Sequence, residues 1–274
     1  VYLDVSHIGK DEILDKLPRM YRQFMESQML DISKSPMEVA PTAHYSMGGI
    51  VVDAESHSTN VKGLYAAGEC TSGVHGANRL GGNSLAEILV FGKISGEEAA
   101  KFSSNLDLQK RNREIIKYAN LELDNLTKKG DELARPLQRA VRDIMWKYCG
   151  VVRSGKGLEE GLSELMKIKA ASSNIDVRPN AEGFSDLAIA LDLLGSIDSA
   201  EATIRCAIER TESRGAHQRS DFKNTSDSQN VNYLVHEESG KQVVTSRNVA
   251  HLPKELEEPM KKINDLSVDG RLLE

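Results

Sequence analysis

The stretch His75–Glu87 reads HGANRLGGNSLAE, which sets one arginine, two asparagines and three glycines ahead of an apolar run. The guanidinium of Arg79 is a planar fork that matches a carboxylate or a phosphate. Gly81 and Gly82 carry no Cβ, so a ligand can approach the backbone closely there. Ser84 followed by Glu87 fits a capping box, and Leu85, Ile88, Leu89, Phe91 and Gly92 read as a buried helix that opens at that point. The first N–H groups of a helix lack internal partners and sit at its positive end. An anion, or a carbonyl that gains negative charge, is stabilised in such a place. A glycine turn, a capped helix and a surface arginine would account for the same letters without any ligand.

Two further stretches could do chemistry. In Thr59–Glu69, TNVKGLYAAGE, small apolar residues form an expected strand that Gly68 ends. Glu69 then stands at the strand's carboxyl end, where open α/β sheets bind ligands, and can accept hydrogen bonds from sugar-type hydroxyls. An ordinary strand that ends in a charged turn is the alternative. In PTAHYSMGG, His44 precedes Gly48, Gly49 and a second expected strand in GGIVVD. Taken alone, His44 reads as a structural histidine. Gly150–Gly157 has the spacing of a phosphate-binding loop, but Gly157 stands where a Ser or Thr should hold the metal. It also follows a helix-like run where that motif needs a strand. No G-x-G-x-x-G occurs.

The whole chain limits what these residues can serve. Its 274 residues are enough for roughly two domains. With 35 Lys and Arg against 41 Asp and Glu, the formal net charge is −6, which argues against nucleic acid as the main partner. Only 5% of residues are aromatic, too few for base-stacking platforms. No apolar run approaches the ~18 residues of a membrane span. Cys70, Cys149 and Cys206 are scattered and odd in number, which suggests a reducing compartment and no metal cluster.

The elements that must position the candidate residues fall into four regions. Residues 1–40 hold a short apolar start, a helix around Ile13–Met29 and a Ser/Pro-rich connection. Residues 41–103 are Gly-rich, with short strands that belong to a mixed sheet core. Residues 104–212 are helical. Their apolar stripes at Leu137/Val141/Ile144/Met145/Tyr148, Leu158/Leu162/Leu165/Met166 and Leu187/Leu191/Leu194 read as a bundle core, with breaks at Pro136, Gly150 and Gly183. Residues 213–274 form an irregular tail in which VNYLVHEESGKQVVTSRNV reads as a β-hairpin. The fold class expected is α+β: a mixed sheet plus helix, then a helical bundle and a small β-containing tail.

Together, PTAHYSMGG, GLYAAGE and HGANRLGGNSLAEILVFG resemble the flavoprotein subunit of succinate dehydrogenase and fumarate reductase, with L-aspartate oxidase as a near relative. The likeness continues through LQRAVRDIMWKYCGVVRSGKGLEEGL and RTESRGAHQRSDF, so it covers nearly all of the chain. It implies FAD as cofactor and a hydride passed between a C4 dicarboxylate and flavin N5. It implies that His44 and Arg79 grip the substrate carboxylates. Glu69 then matches the family's acidic FAD ligand, and Gly81, Gly82, Asn83, Ser84 and Leu85 face the flavin. Residues 41–103 would be the C-terminal remnant of a two-dinucleotide-fold FAD domain, and residues 1–40 would end the family's capping domain. An iron–sulfur subunit is the implied partner, at a cytoplasmic site held peripherally on the inner membrane face.

The family's Gly-rich pyrophosphate loop, its covalent flavin His, a second substrate His/Thr pair and its proton-donor Arg have no counterpart in these 274 residues. The chain is therefore expected to be the C-terminal part of a longer flavoprotein, unable by itself to hold FAD tightly or to catalyse. Three functions stand as expectations: a piece of a succinate/fumarate oxidoreductase, a piece of an L-aspartate oxidase, or an inactive structural and interaction fragment.

Overall fold

The computed structural model describes residues 1–40, 44–107, 112–178, 184–250, 253–256 and 258–259. Pro41–Ala43 of the PTAHYSMGG motif, the expected break at Gly183 and most of the tail past residue 250 lie outside the described residues.

A two-stranded antiparallel pair, β1 (Tyr2–Leu3) with β2 (Met37–Glu38), brackets helices α1 (Lys10–Lys16) and α2 (Pro18–Gln28). The single helix expected around Ile13–Met29 is thus two. Pro18 cannot donate to the preceding turn, and it opens α2 at the position where its missing N–H costs nothing. Met29 closes α2 in the left-handed region, with φ of 54°. Ile13, Ile32 and Met37 are buried, and Tyr21 and Phe24 pack on them.

Residues 44–82 are a chain of turns. The strands expected in GGIVVD and GLYAAGE shrink to isolated bridges, Ile50 with Thr71 and Ser58 with Tyr65. A strand persists only when neighbours complete its ladder and cover its face. Among the described residues no strand extends these bridges into a ladder, and Ile50, Val51 and Leu64 are exposed. The turns instead lean on α3 (Asn83–Ser104): the buried His57 ring stacks on Phe91 at 4.3 Å between centroids, and its Nδ1 donates to the Ala66 carbonyl at 3.0 Å.

After α4 (Arg113–Leu126), capped by the Asn112 side chain, the chain builds its main core from α5 (Ala134–Tyr148), α6 (Gly155–Ala171) and α7 (Phe184–Glu209). Leu137 and Val141 of α5 meet Leu158 and Leu165 of α6, as their spacing predicts. Pro136 makes no break; it sits in the first turn of α5, where its lack of an N–H is harmless. The stripe on α7 is a different one from that expected. Leu191 and Leu194 are exposed, while Ala190, Leu193, Ile197, Ala200, Ile204 and Ala207 face the core. The 3–4 spacing is kept, but on a face where Ala190, Ala200 and Ala207 are interspersed with Leu193, Ile197 and Ile204.

Between α5 and α6, β3 (Val152–Arg153) pairs in parallel with β4 (Gln218–Arg219). The hairpin lies where the sequence puts it: β5 (Val231–Glu238) pairs with β6 (Lys241–Asn248) in full register. Ser239 and Gly240, both at positive φ, form the tight turn that suits the twist of such a ribbon. The result is the α+β mix expected. Among the described residues no helix is long and apolar enough to cross a membrane.

Candidate functional site

The amino end of α3 differs from the expected capping box. The helix starts at Asn83 behind Gly82, whose φ is 82°, and no side chain caps it. Ser84 lies one residue inside the helix, where it cannot serve as the cap. Glu87 turns away to other partners. The helix is not buried along its apolar run either: Leu85 is 66% and Leu89 74% exposed, whereas the side chain enclosed is that of Glu87. The reason is the missing ladder above. With no sheet over this face, the turns from residues 44 to 79 bury Glu87 and cover Phe91 only in part.

Glu87 organises a buried polar cluster. Its Oε2 accepts the Tyr45 hydroxyl in a short bond and His75 Nε2 at 2.9 Å. The His75 ring stands edge-on to Tyr45, centroids 5.4 Å apart and planes at 81°. On the Tyr45 ring lies the Arg79 guanidinium, 4.5 Å from its centroid. Burial, and then the bond to the Glu87 carboxylate, push the Tyr45 hydroxyl up to about 12, so it remains a donor. Burial alone would raise Glu87, but donation from Tyr45 and His75 outweighs it and holds the carboxyl below its usual range.

Arg79 is held in place yet largely unused. Nη1 donates to the Leu80 carbonyl at 3.0 Å, and Nε is buried with no hydrogen-bond partner among the described residues. His44, next to Tyr45, is exposed. Glu69 is exposed too, and its Oε1 accepts the Ser46 N–H at 3.0 Å, which fixes it beside the His44–Tyr45 turn. A Cβ on Gly81 or Gly82 would meet nothing within 4 Å, so open space lies before the uncapped helix. Such an arrangement can receive a carboxylate at a charged fork and a flat, polar-edged ring over a positive helix end.

Known proteins share this sequence and fold. Residues 138–266 match the family described as fumarate reductase flavoprotein C-term, and residues 1–85 match the FAD binding domain. The chain belongs to the succinate dehydrogenase and fumarate reductase flavoprotein family. It is 38% identical over 246 residues to the fumarate reductase flavoprotein subunit of a Serratia species, covering 86% of this chain and 40% of that one. It is 34% identical over 241 residues to the fumarate reductase flavoprotein subunit of Escherichia coli, again covering 86% and 40%. Among solved structures, Mycobacterium smegmatis Sdh1 in complex with UQ1 superimposes with a TM-score of 0.84 at 32% identity, over 95% of this chain and 45% of that one. The chain therefore spans less than half the length of these relatives.

In this flavoprotein chain the motif RTESRGAHQRSDF forms a buried ionic network and reaches the arginine stretch through a backbone hydrogen bond. Fully buried Glu212 accepts from Arg214 at 2.6 and 3.0 Å, from Arg210 at 2.6 Å and from the Ser226 N–H at 2.7 Å. His217 accepts from Arg153 at Nδ1 and donates from Nε2 to the Arg210 carbonyl, at 3.0 and 3.2 Å. Burial lowers its pKa. From this braced segment the Ala216 N–H reaches the Ala77 carbonyl at 2.9 Å, two residues before Arg79.

Gly215 permits that contact. Its φ is 56°, and a Cβ there would lie 2.3 Å from the Ala77 carbonyl oxygen. Gly215→Ala is expected to destabilise the protein by about 1–3 kcal/mol, from left-handed strain and the clash with backbone. Thermal unfolding checks it, and an unchanged melting temperature would show that the two segments do not meet.

In the sequence Arg79 stands out by its type, whereas Glu87 reads as part of the helix cap and neither Tyr45 nor His75 suggests a role of its own. Tyr45 adjoins His44, and His75 opens the arginine motif, so both lie in the stretches that signal chemistry. No periodicity links Tyr45 to Glu87, 42 residues away.

Proposed function

We propose that the protein carrying this chain is an FAD-dependent oxidoreductase that interconverts succinate and fumarate. The observation that carries this is the state of Arg79: over the face of the Tyr45 ring, desolvated at Nε, and beside an uncapped helix end. A guanidinium left so short of acceptors is arranged for an anion, because each unmade bond to a buried charged group costs roughly 1.5–3 kcal/mol. Arg79 takes one carboxylate of the substrate bidentately, and His44 donates a directed bond to it.

The residues fit a flavin. Gly81 and Gly82 leave space for a ring, and the N–H groups at Ser84 and Leu85 have no capping side chain in front of them, while the Asn83 N–H donates to the Leu80 carbonyl at 3.3 Å. Glu69 offers an acceptor to a polyol hydroxyl. FAD, when bound, supplies the group that takes up or gives back the hydride. The helix end favours the reduced, more negative cofactor. The curated relatives are designated subunits, which supports a multi-subunit setting. Within it an iron–sulfur subunit exchanges electrons with the flavin and tethers the flavoprotein to the inner membrane face.

The test is a substrate panel on the full-length protein: succinate oxidation with an electron-accepting dye, fumarate reduction with a reduced dye, and aspartate oxidation. Turnover of succinate or fumarate is expected. Turnover of aspartate without succinate would overturn the proposal in favour of an aspartate oxidase.

A further inference from the structure

We propose that Tyr45, tethered by Glu87 and His75, is a positioning residue whose ring sets the plane of the Arg79 fork. This rests on the proposed role of Arg79 in carboxylate binding. Three observations carry it. The Tyr45 ring is pinned at two points, by its hydroxyl on Glu87 and by the edge of His75, so it cannot turn. Glu87 is itself fixed by His75 Nε2 onto the same oxygen, within the first turns of α3. The guanidinium lies on the ring face, and among the described residues no carboxylate pairs with it.

The choice of an aromatic support has a chemical consequence. An acidic partner would orient Arg79 equally well, but would neutralise the charge that a substrate carboxylate needs. An aromatic face orients the fork and leaves its charge available. Donation of the Tyr45 O–H to an ionised Glu87 pushes electron density into the ring and so strengthens the attraction for the cation. The buried acid thus acts on Arg79 through the tyrosine without contacting it. It also links the orientation of the fork to the start of α3, the element that carries Asn83, Ser84 and Leu85.

The experiment uses the full-length protein with Tyr45→Leu, Tyr45→Phe, Glu87→Gln and Arg79→Lys, and measures KM and kcat for the dicarboxylate, bound flavin and melting temperature. Tyr45→Leu is expected to raise KM about tenfold, with kcat changed less than KM and bound flavin as in the wild type. Tyr45→Phe, which keeps the ring, restores most of that affinity. Glu87→Gln keeps the shape and loses the charge, and raises KM about threefold; it carries the test if Tyr45→Leu does not fold. Unchanged KM in both Tyr45→Leu and Glu87→Gln overturns the proposal. A loss confined to kcat, flavin content and melting temperature does the same, since that marks a purely structural role. If Arg79→Lys also leaves KM unchanged, the error lies in the binding role of Arg79; if only that variant raises KM, it lies in the role of Tyr45.

Discussion

Arg79→Lys in the full-length protein is expected to lower kcat/KM for the dicarboxylate by about 100-fold while the fold is kept. Lysine retains the charge but offers a point donor on a flexible stem, so two parallel charge-assisted bonds become at most one. At roughly 1.5–3 kcal/mol per bond to a charged group, that loss alone is worth one to two powers of ten. Misplacement of the substrate against the cofactor adds to it, since an ammonium is a point charge and cannot be oriented by the Tyr45 ring face as a planar guanidinium can. Stability should change little, because among the described residues Arg79 makes one hydrogen bond, to a neighbouring carbonyl. Steady-state kinetics with succinate and fumarate, flavin absorbance and a thermal melt decide the matter. Near-wild-type kinetics with normal flavin would remove Arg79 from the site.

Glu212→Ala is expected to cost about 3–5 kcal/mol of folding stability at neutral pH, the usual result of removing one member of a buried ion pair. Two guanidiniums and a backbone N–H converge on this fully buried carboxylate. Its removal leaves Arg210 and Arg214 close together without the carboxylate that both bind. The pH dependence carries a definite sign. Burial alone would raise Glu212, but Arg214, the Ser226 N–H and Arg210 overcome it and hold the carboxyl down to about 2. In the unfolded chain it titrates near 4.3. The stability it contributes is therefore full above about pH 5 and falls away as the pH drops toward 2. Urea unfolding of the wild type and Glu212→Gln across that range should show a gap that closes on acidification. A gap that stays constant with pH would show that Glu212 is not the ionised hub of this network.

Local chemistry was legible wherever a residue's partners are near in sequence or repeat with a helical period. The hairpin of residues 231–248 follows from a turn whose two central residues accept positive φ, and α5 and α6 follow from their apolar spacing. Arg79, Gly81 and Gly82 stood out because their residue types limit what they can do. On α7 the period was right and the face only partly so, with Leu187 on the core but Leu191 and Leu194 off it, because alanine gives no signal of burial until a neighbouring helix packs on it. The strands of residues 44–72 and the buried run of α3 depended on a covering sheet, which a hydrophobic pattern can call for but not supply.

The cluster of Tyr45, His75 and Glu87 beside Arg79 shows the same division. By sequence alone this protein has a charged fork, glycines beside it and a helix behind them. Tertiary structure alone decided that Glu87 serves Tyr45 and His75 instead of the helix end, and that Tyr45 supports the fork. The physical reason is that a buried carboxylate must find donors wherever the chain brings them, and here they come from two turns that only the folded backbone sets side by side.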